Sequence, residues 1–217
     1  MHTDPRTGEI LNASVYLPAN VASYFYTSRT EETMAVDPSV RKARLSEEQF
    51  GEMFKAKMMQ AIGRCLGLTD NYAASSVYPV DSLRSAKFTQ KYGTTPSIMD
   101  YARFNYVAQP GDGVTALSPH IGPYDIFAIE YGYRWYGKNT PEEEKTLLFN
   151  FLSKHTDRLY KYSEAQDVRD AVDPRAQNED LGDDPVRSSL LGIENLKRIV
   201  PQILQSVSYT HLTLPTI

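Results

Sequence analysis

Residues 46–71 read SEEQFGEMFKAKMMQAIGRCLGLTDN, and the rest of the chain has to be arranged around this stretch. Ser46 followed three positions later by Gln49 is the capping-box pattern: the hydroxyl takes an orphaned backbone N–H and the amide reaches back to the cap. The spacing predicts a helix over 46–66. Phe50, Met53, Phe54, Met58, Ile62 and Leu66 recur at steps of three or four and make its expected apolar stripe, with Lys55 and Lys57 off it. Gly67 supplies the left-handed stop.

Before this helix, TGEILNASVYL (7–17) alternates apolar and polar residues with one slip, between the DPRTG turn and Pro18. It predicts a strand over Glu9 to Tyr16. Residues 19–44 read as a loop with a short helix. Beyond the helix, Thr69 to Pro96 is rich in Ser, Tyr, Asp and Thr and reads as an ordered but irregular excursion. Thr140, Pro141 and three Glu open another helix that runs through LLFNFLSK, and Asp184 with Pro185 opens a last one that Pro201 is expected to kink or end. With no repeat and no linker, the reading is one α/β (α+β) domain over 1–206, its C-terminal part helical from 140 to 206. The tail VSYTHLTLPTI (207–217) resembles the translation of a sequencing-library adapter and is set apart from the fold, which removes His211 as a ligand.

Composition narrows the function. The 217 residues carry 23 Lys+Arg against 27 Asp+Glu, a net charge of -4, which argues against a protein that lives by neutralising phosphates. No nucleic-acid partner is expected. The single Cys65 cannot form an internal disulfide and reads as a small buried residue; no apolar run approaches the ~20 residues that cross a bilayer. MHTDPRTGEI has no apolar segment of the kind that directs secretion. His2, His120 and His155 are unpaired at helical spacing, so none is a metal candidate. Asp173, Asp180, Asp183 and Asp184 lack a calcium-loop spacing and read as turn and cap residues. The fifteen Tyr, several in YGYRWYG and YARFNY, read as half-buried packing residues sooner than as a binding groove.

MMQAIGRCLGLTDNYAAS (58–75) and SIMDYARFNYVAQPGDG (97–113), with DPRTGEILNASVYLP (4–18) before them and LGDDPV (181–186) after, resemble a bacterial zinc-dependent metalloprotease-like family of the metzincin type. The resemblance spans most of residues 4–206. That family's zinc motif, HExxHxxGxxH, is followed by a Met-turn. Two His one helical turn apart and a third beyond a glycine turn hold the metal, and a Glu activates its water. Aligned on Gly67, the resemblance puts the first ligand position at Gln60, the general-base position at Ala61, the second ligand position at Arg64 and the third at Asp70. It keeps Gly67 and Asn71 as frame, and Ser97 to Tyr101 as the Met-turn, with Met99 beneath the site and Tyr101 beside it.

None of the motif residues can do zinc chemistry. Arg64 is cationic and has no acceptor, Gln60 is a poor ligand, Ala61 moves no proton, and Asp70 with Tyr101 falls short of three protein ligands. The resemblance therefore implies a degenerate copy with no intact catalytic residue and no bound metal, where active members hold zinc. Arg64 and Asp70 are expected to pair in the vacated position, with Tyr101 donating its hydroxyl to Asp70. Three functions compete: a pseudoprotease that captures an extended peptide along the edge strand, a zinc metalloendopeptidase with unorthodox ligands, and a structural part of a cell-envelope assembly. Family resemblance implies a periplasmic, outer-membrane-associated or secreted protein.

Overall fold

The computed structural model describes residues 1–18, 20–42, 45–138, 140–164, 166 and 172–211, with side chains described through 202. The architecture is mixed but mostly helical. Strands β1 (His2–Thr3) and β2 (Ile10–Asn12) pair antiparallel in a two-stranded sheet. Then follow α1 (Val21–Thr33), α2 (Glu47–Cys65), α3 (Val80–Leu83), α4 (Ala86–Tyr92), α5 (Pro123–Tyr133), α6 (Pro141–Ser153) and α7 (Pro185–His211). Among the described residues there is no larger sheet.

Several expectations are corrected here. The strand expected over Glu9 to Tyr16 is formed only at Ile10–Asn12, because among the described residues 13–18 find no ladder partner. The loop expected over 19–44 contains the thirteen-residue α1. That helix has no side-chain cap bond and carries no clean apolar stripe, so the periodicity that would have revealed it is missing. Pro201 does not end α7: the helix continues past it to His211. The α5 helix was not anticipated. The tail assigned to an adapter begins inside α7; its side chains, and all of 212–217, lie outside the described residues.

The central helix forms as the capping box requires: Gln49 N–H donates to Ser46 Oγ at 3.2 Å and Ser46 N–H to Gln49 Oε1 at 3.0 Å. It ends in a Schellman turn, with Gly67 at φ 85° and backbone bonds Gly67 N–H to Arg64 O (3.0 Å) and Leu68 N–H to Gly63 O (3.0 Å). Its buried face is Met53, Ala56, Gln60 and Gly63, while Ile62 and Leu66 of the expected stripe are exposed. The helix is apolar on more than one side, so counting apolar residues picks the wrong face.

That face sits on the turn at 97–101. Ala56, Ile98 and Met99 form one cluster, with Met59 and Leu68 against it. The turn is held from below by the start of α5: the Asp125 carboxylate accepts from Ser97 Oγ (2.6 Å), Ile98 N–H (2.7 Å) and Gly122 N–H (2.8 Å). Tyr124 N–H adds a bond to Pro96 O at 3.0 Å. Other small clusters tie the frame together: Met34 and Val40 with Ile199 of α7, and Tyr78, Val80, Leu83 and Val107 with Leu181.

The approach of α5 to the turn leaves no room for a side chain at Gly122, where a Cβ would stand 2.1 Å from Pro96 O. Gly122→Ala is expected to destabilise by on the order of 3 kcal/mol or to prevent folding. Gly132→Ala in the same helix, with nothing within 4 Å of the added methyl, is expected to stabilise by about 0.5–1 kcal/mol. Thermal melts of the two variants check the contrast.

Candidate functional site

The helix α2, the turn behind Gly67 and the 97–101 segment converge on one patch. Gln60 is buried and its Nε2 donates to Asp100 O at 3.2 Å, so the side chain at the first motif position stitches helix to turn. Gly63 is required by the same contact: a Cβ there would lie 2.5 Å from the sulfur of the fully buried Met99. Asn71 is fully buried and is the hub on the other side. Its N–H donates to Met99 O (3.1 Å), its Nδ2 to Lys161 O (2.9 Å), and its Oδ1 accepts from Ser163 N–H (3.1 Å) and Ala73 N–H (3.3 Å).

Arg64 and Asp70 meet across the glycine turn. Arg64 Nη2 and Nε stand 2.7 and 3.0 Å from the same Asp70 oxygen. Burial lowers the Arg64 pKa, but the bonds to Asp70 and Tyr101 outweigh it and hold the guanidinium above its ordinary value. Tyr101 does not serve Asp70 as expected. Its ring lies 5.4 Å from the guanidinium carbon and stacks on Tyr72 at 5.7 Å with only 3° between the planes, which turns the aromatic face to the cation. Ala61, at the position expected for the general base, contributes no polar side-chain atom.

Beside Tyr101 opens a cavity of about 290 Å³, lined among others by Tyr24, Glu32, Lys57, Tyr101, Arg103 and Glu179. Arg103 bridges Glu32 (2.9 Å) and Glu179 (2.6 Å), and Phe104 N–H donates to Glu32 at 2.6 Å. Burial pushes the Glu32 carboxyl up to about 7 against the pull of Arg103. The Lys57 ammonium stands 5.7 Å from the centre of the Tyr101 ring; burial and the Arg64 charge lower its pKa. Deeper, burial and then the Asp180 charge raise the Asp100 carboxyl, while burial lifts Asp180 to about 6.

The motif residues Gln60, Ala61, Arg64, Gly67, Asp70 and Asn71 and the turn residues Met99 and Tyr101 thus share one place. His2, His120 and His155 take no part: His155 packs among Phe127, Phe151 and Tyr160, and His120 bonds Ile121 O at 2.8 Å. Asp183 and Asp184 serve backbone N–H groups at the starts of α3 and α7. Among the described residues no three His, Cys, Asp or Glu stand together as metal ligands do. Asp125 was missed by sequence reasoning. The signal existed: Gly-Pro-x-Asp places Pro at the first helical position and an acid two residues on, within reach of the cap.

Two outcomes follow. The Arg64 and Asp70 side chains are 41% and 27% exposed, so their pairing is worth far less than a buried bridge. A double-mutant cycle with Arg64→Ala and Asp70→Ala is expected to give a coupling of about 1 kcal/mol, part of it from the Tyr101 ring. Glu32 binds a proton in the folded state near pH 7 but only near its ordinary value of 4.5 when unfolded. Its contribution to stability is therefore complete below about pH 4.5 and is lost as pH rises through about 7. Melting temperature should fall between pH 5 and 8, and Glu32→Gln should flatten that slope; Asp180 adds a smaller slope of the same sign.

A family model with the description Met-zincin matches residues 42–211, from just before the capped helix to the end of α7. No curated protein and no solved structure gives a significant match. The match covers the helix, the glycine turn, the 97–101 segment and α7 in one continuous span, and the chain belongs to the Met-zincin family.

Proposed function

We propose that this chain is a catalytically degenerate Met-zincin that binds an extended peptide without cleaving it. One observation carries the reading: where the family motif places its second and third zinc ligands, Arg64 and Asp70 are paired at 2.7 Å. A guanidinium offers no lone pair and repels a dication, so the residues present do not fit zinc. Gln60 is committed to Asp100 O, and Asp70 to Arg64. With Ala61 at the general-base position nothing there takes the proton from a hydrolytic water. The 97–101 segment then serves as a Met-turn whose Met99 supports the helix.

Peptide capture is supported by the position of β2. Among the described residues it is paired on one side only, by β1, and Ile10 Cδ1 lies 3.5 Å from where a Cβ on Gly67 would stand. An open strand edge beside the site offers unpaired N–H and C=O groups to an extended chain. What this chain's residues do on that reading is bind and orient; no bond is broken. A cell-envelope or secreted location belongs to the same proposal.

Elemental analysis of protein purified without chelator is expected to find no stoichiometric zinc, and a peptide-library digest no cleavage. The variant Gln60→His/Ala61→Glu/Arg64→His/Asp70→His is expected to take up about one zinc per chain, because the ligand type and spacing then suit a three-ligand site. One tightly held zinc in the parent protein, or cleavage by it, would sink the reading in favour of an active metalloendopeptidase.

A further inference from the structure

A second concavity begins three residues beyond Asp70. It has a volume of about 280 Å³ and is lined by Ala73, Ser76, Val77, Arg158, Lys161, Tyr162, Asp173 and Arg175. Among the described residues its lining carries three cations against one carboxylate, in a chain of net charge -4. Asp173 is already engaged: Arg175 Nε and Nη2 hold its two oxygens at 2.9 and 2.7 Å. Glu164, near the rim, sits 3.0 Å from the Tyr162 hydroxyl. Among the described residues neither Arg158 nor Lys161 is within salt-bridge distance of a carboxylate, although the Lys161 charge acts on Asp173 from farther off; Arg158 Nη2 donates to Ser76 O, at 3.3 Å. The floor of Ala73 and Val77 is apolar, suited to the methylenes of a side chain whose tip is charged.

The concavity is joined to the motif site by covalent and hydrogen-bonded links. Tyr162 Oη is 2.6 Å from Thr69 Oγ1, next to Asp70. Asn71 bonds Lys161 O and Ser163 N–H, and Tyr72 N–H bonds Ser163 O at 2.9 Å. Three residues of chain reach at most ~10 Å, which is also about the span of three residues of an extended peptide. A peptide with one residue over the Arg64–Asp70 bridge therefore brings a side chain two or three positions away to this basic concavity.

We propose that the Arg158–Lys161–Arg175 concavity is a subsite that takes an acidic side chain of the bound peptide, so that the chain selects extended segments carrying Glu or Asp two or three residues from the one at Arg64. The proposal rests on the peptide-binding reading above. Arg158 and Lys161 supply the attraction; Arg175, held by Asp173, presents its remaining N–H groups. Because the cations are exposed, the selectivity is screened by salt.

The test is fluorescence anisotropy with labelled octapeptides of neutral sequence in which a single Glu or Gln is moved along the chain. The full chain and its Arg158→Ala/Lys161→Ala variant are compared at low and at physiological salt. The expected result is at least tenfold tighter binding of Glu than of Gln peptides at one register. That preference should shrink with salt and be lost in the variant, whose melting temperature and Gln-peptide affinity stay unchanged. Equal binding of Glu and Gln peptides, or a preference that survives in the variant, would overturn the subsite and leave the peptide-binding reading standing. Absence of binding by every peptide would overturn both. Titration with inorganic phosphate separates the remaining case: phosphate binding that the variant abolishes, without Glu preference, makes this a small-anion site and overturns the acidic-segment proposal.

Discussion

The carboxylate of Asp125 organises the centre of this molecule. One side chain accepts three hydrogen bonds, two from backbone N–H groups and one from Ser97, and so fixes both the start of α5 and the turn at 97–99. Its burial is tolerable only because those donors replace the water it gives up. Without them Met99 would have no reason to sit beneath α2, and the fit of its sulfur against Gly63 would be lost. The geometry around α2 is thus set from below, by groups that never face the cleft.

On the proposed reading, this explains how the frame can persist when the motif positions carry no metal ligands. A bound zinc would cross-link α2 to the chain beyond Gly67. Here that link is made by Gln60 to Asp100 O, by Asn71 N–H to Met99 O and by the Schellman turn at Gly67, each a contact between groups that stay in the protein. The Arg64–Asp70 pair adds little to them, since a half-exposed bridge is partly solvated already. The positions that face the cleft are therefore free to vary in a way that Gly63, Asn71, Met99 and Asp125 are not.

The parts of the fold legible in the sequence were those specified by short-range chemistry. Ser46 with Gln49, Gly67, and Thr140 with Pro141 each mark a helix end through groups within four residues, and each end stands within a residue of its expected place. What failed depends on partners distant in sequence. Residues 13–16 alternate as a strand should, yet among the described residues nothing pairs with them to complete a ladder. The face of α2 was misread because Gln60 and Gly63 are buried for what they contact, Asp100 and Met99, and neither residue type announces burial. Helix α1 buries Arg29 and Glu32, residues that a hydrophobic count places outside. The positions Gln60, Arg64, Gly67 and Asp70, expected from the family resemblance to lie together, do meet where α2 and the glycine turn join. The cavity beside them was not legible, because Glu32, Lys57, Arg103 and Glu179 come from four separate stretches.

On the proposed reading, an ion pair in place of a metal also changes what the cleft attracts. A zinc ion carries two charges and pulls on any ligand oxygen near it, whatever surrounds the site. The Arg64–Asp70 pair is neutral as a unit, so its field falls off quickly and leaves the cleft's preference to neighbouring charges. On one side these are Lys57 with the Arg103, Glu32 and Glu179 cluster, where carboxylates offset the cations. On the other side, among the described residues, Arg158 and Lys161 stand beyond salt-bridge distance of any carboxylate. Selection by a neutralised site thus moves outward from the motif to its flanks, and it is at the flank with unmatched positive charge that a ligand's own charge has most effect.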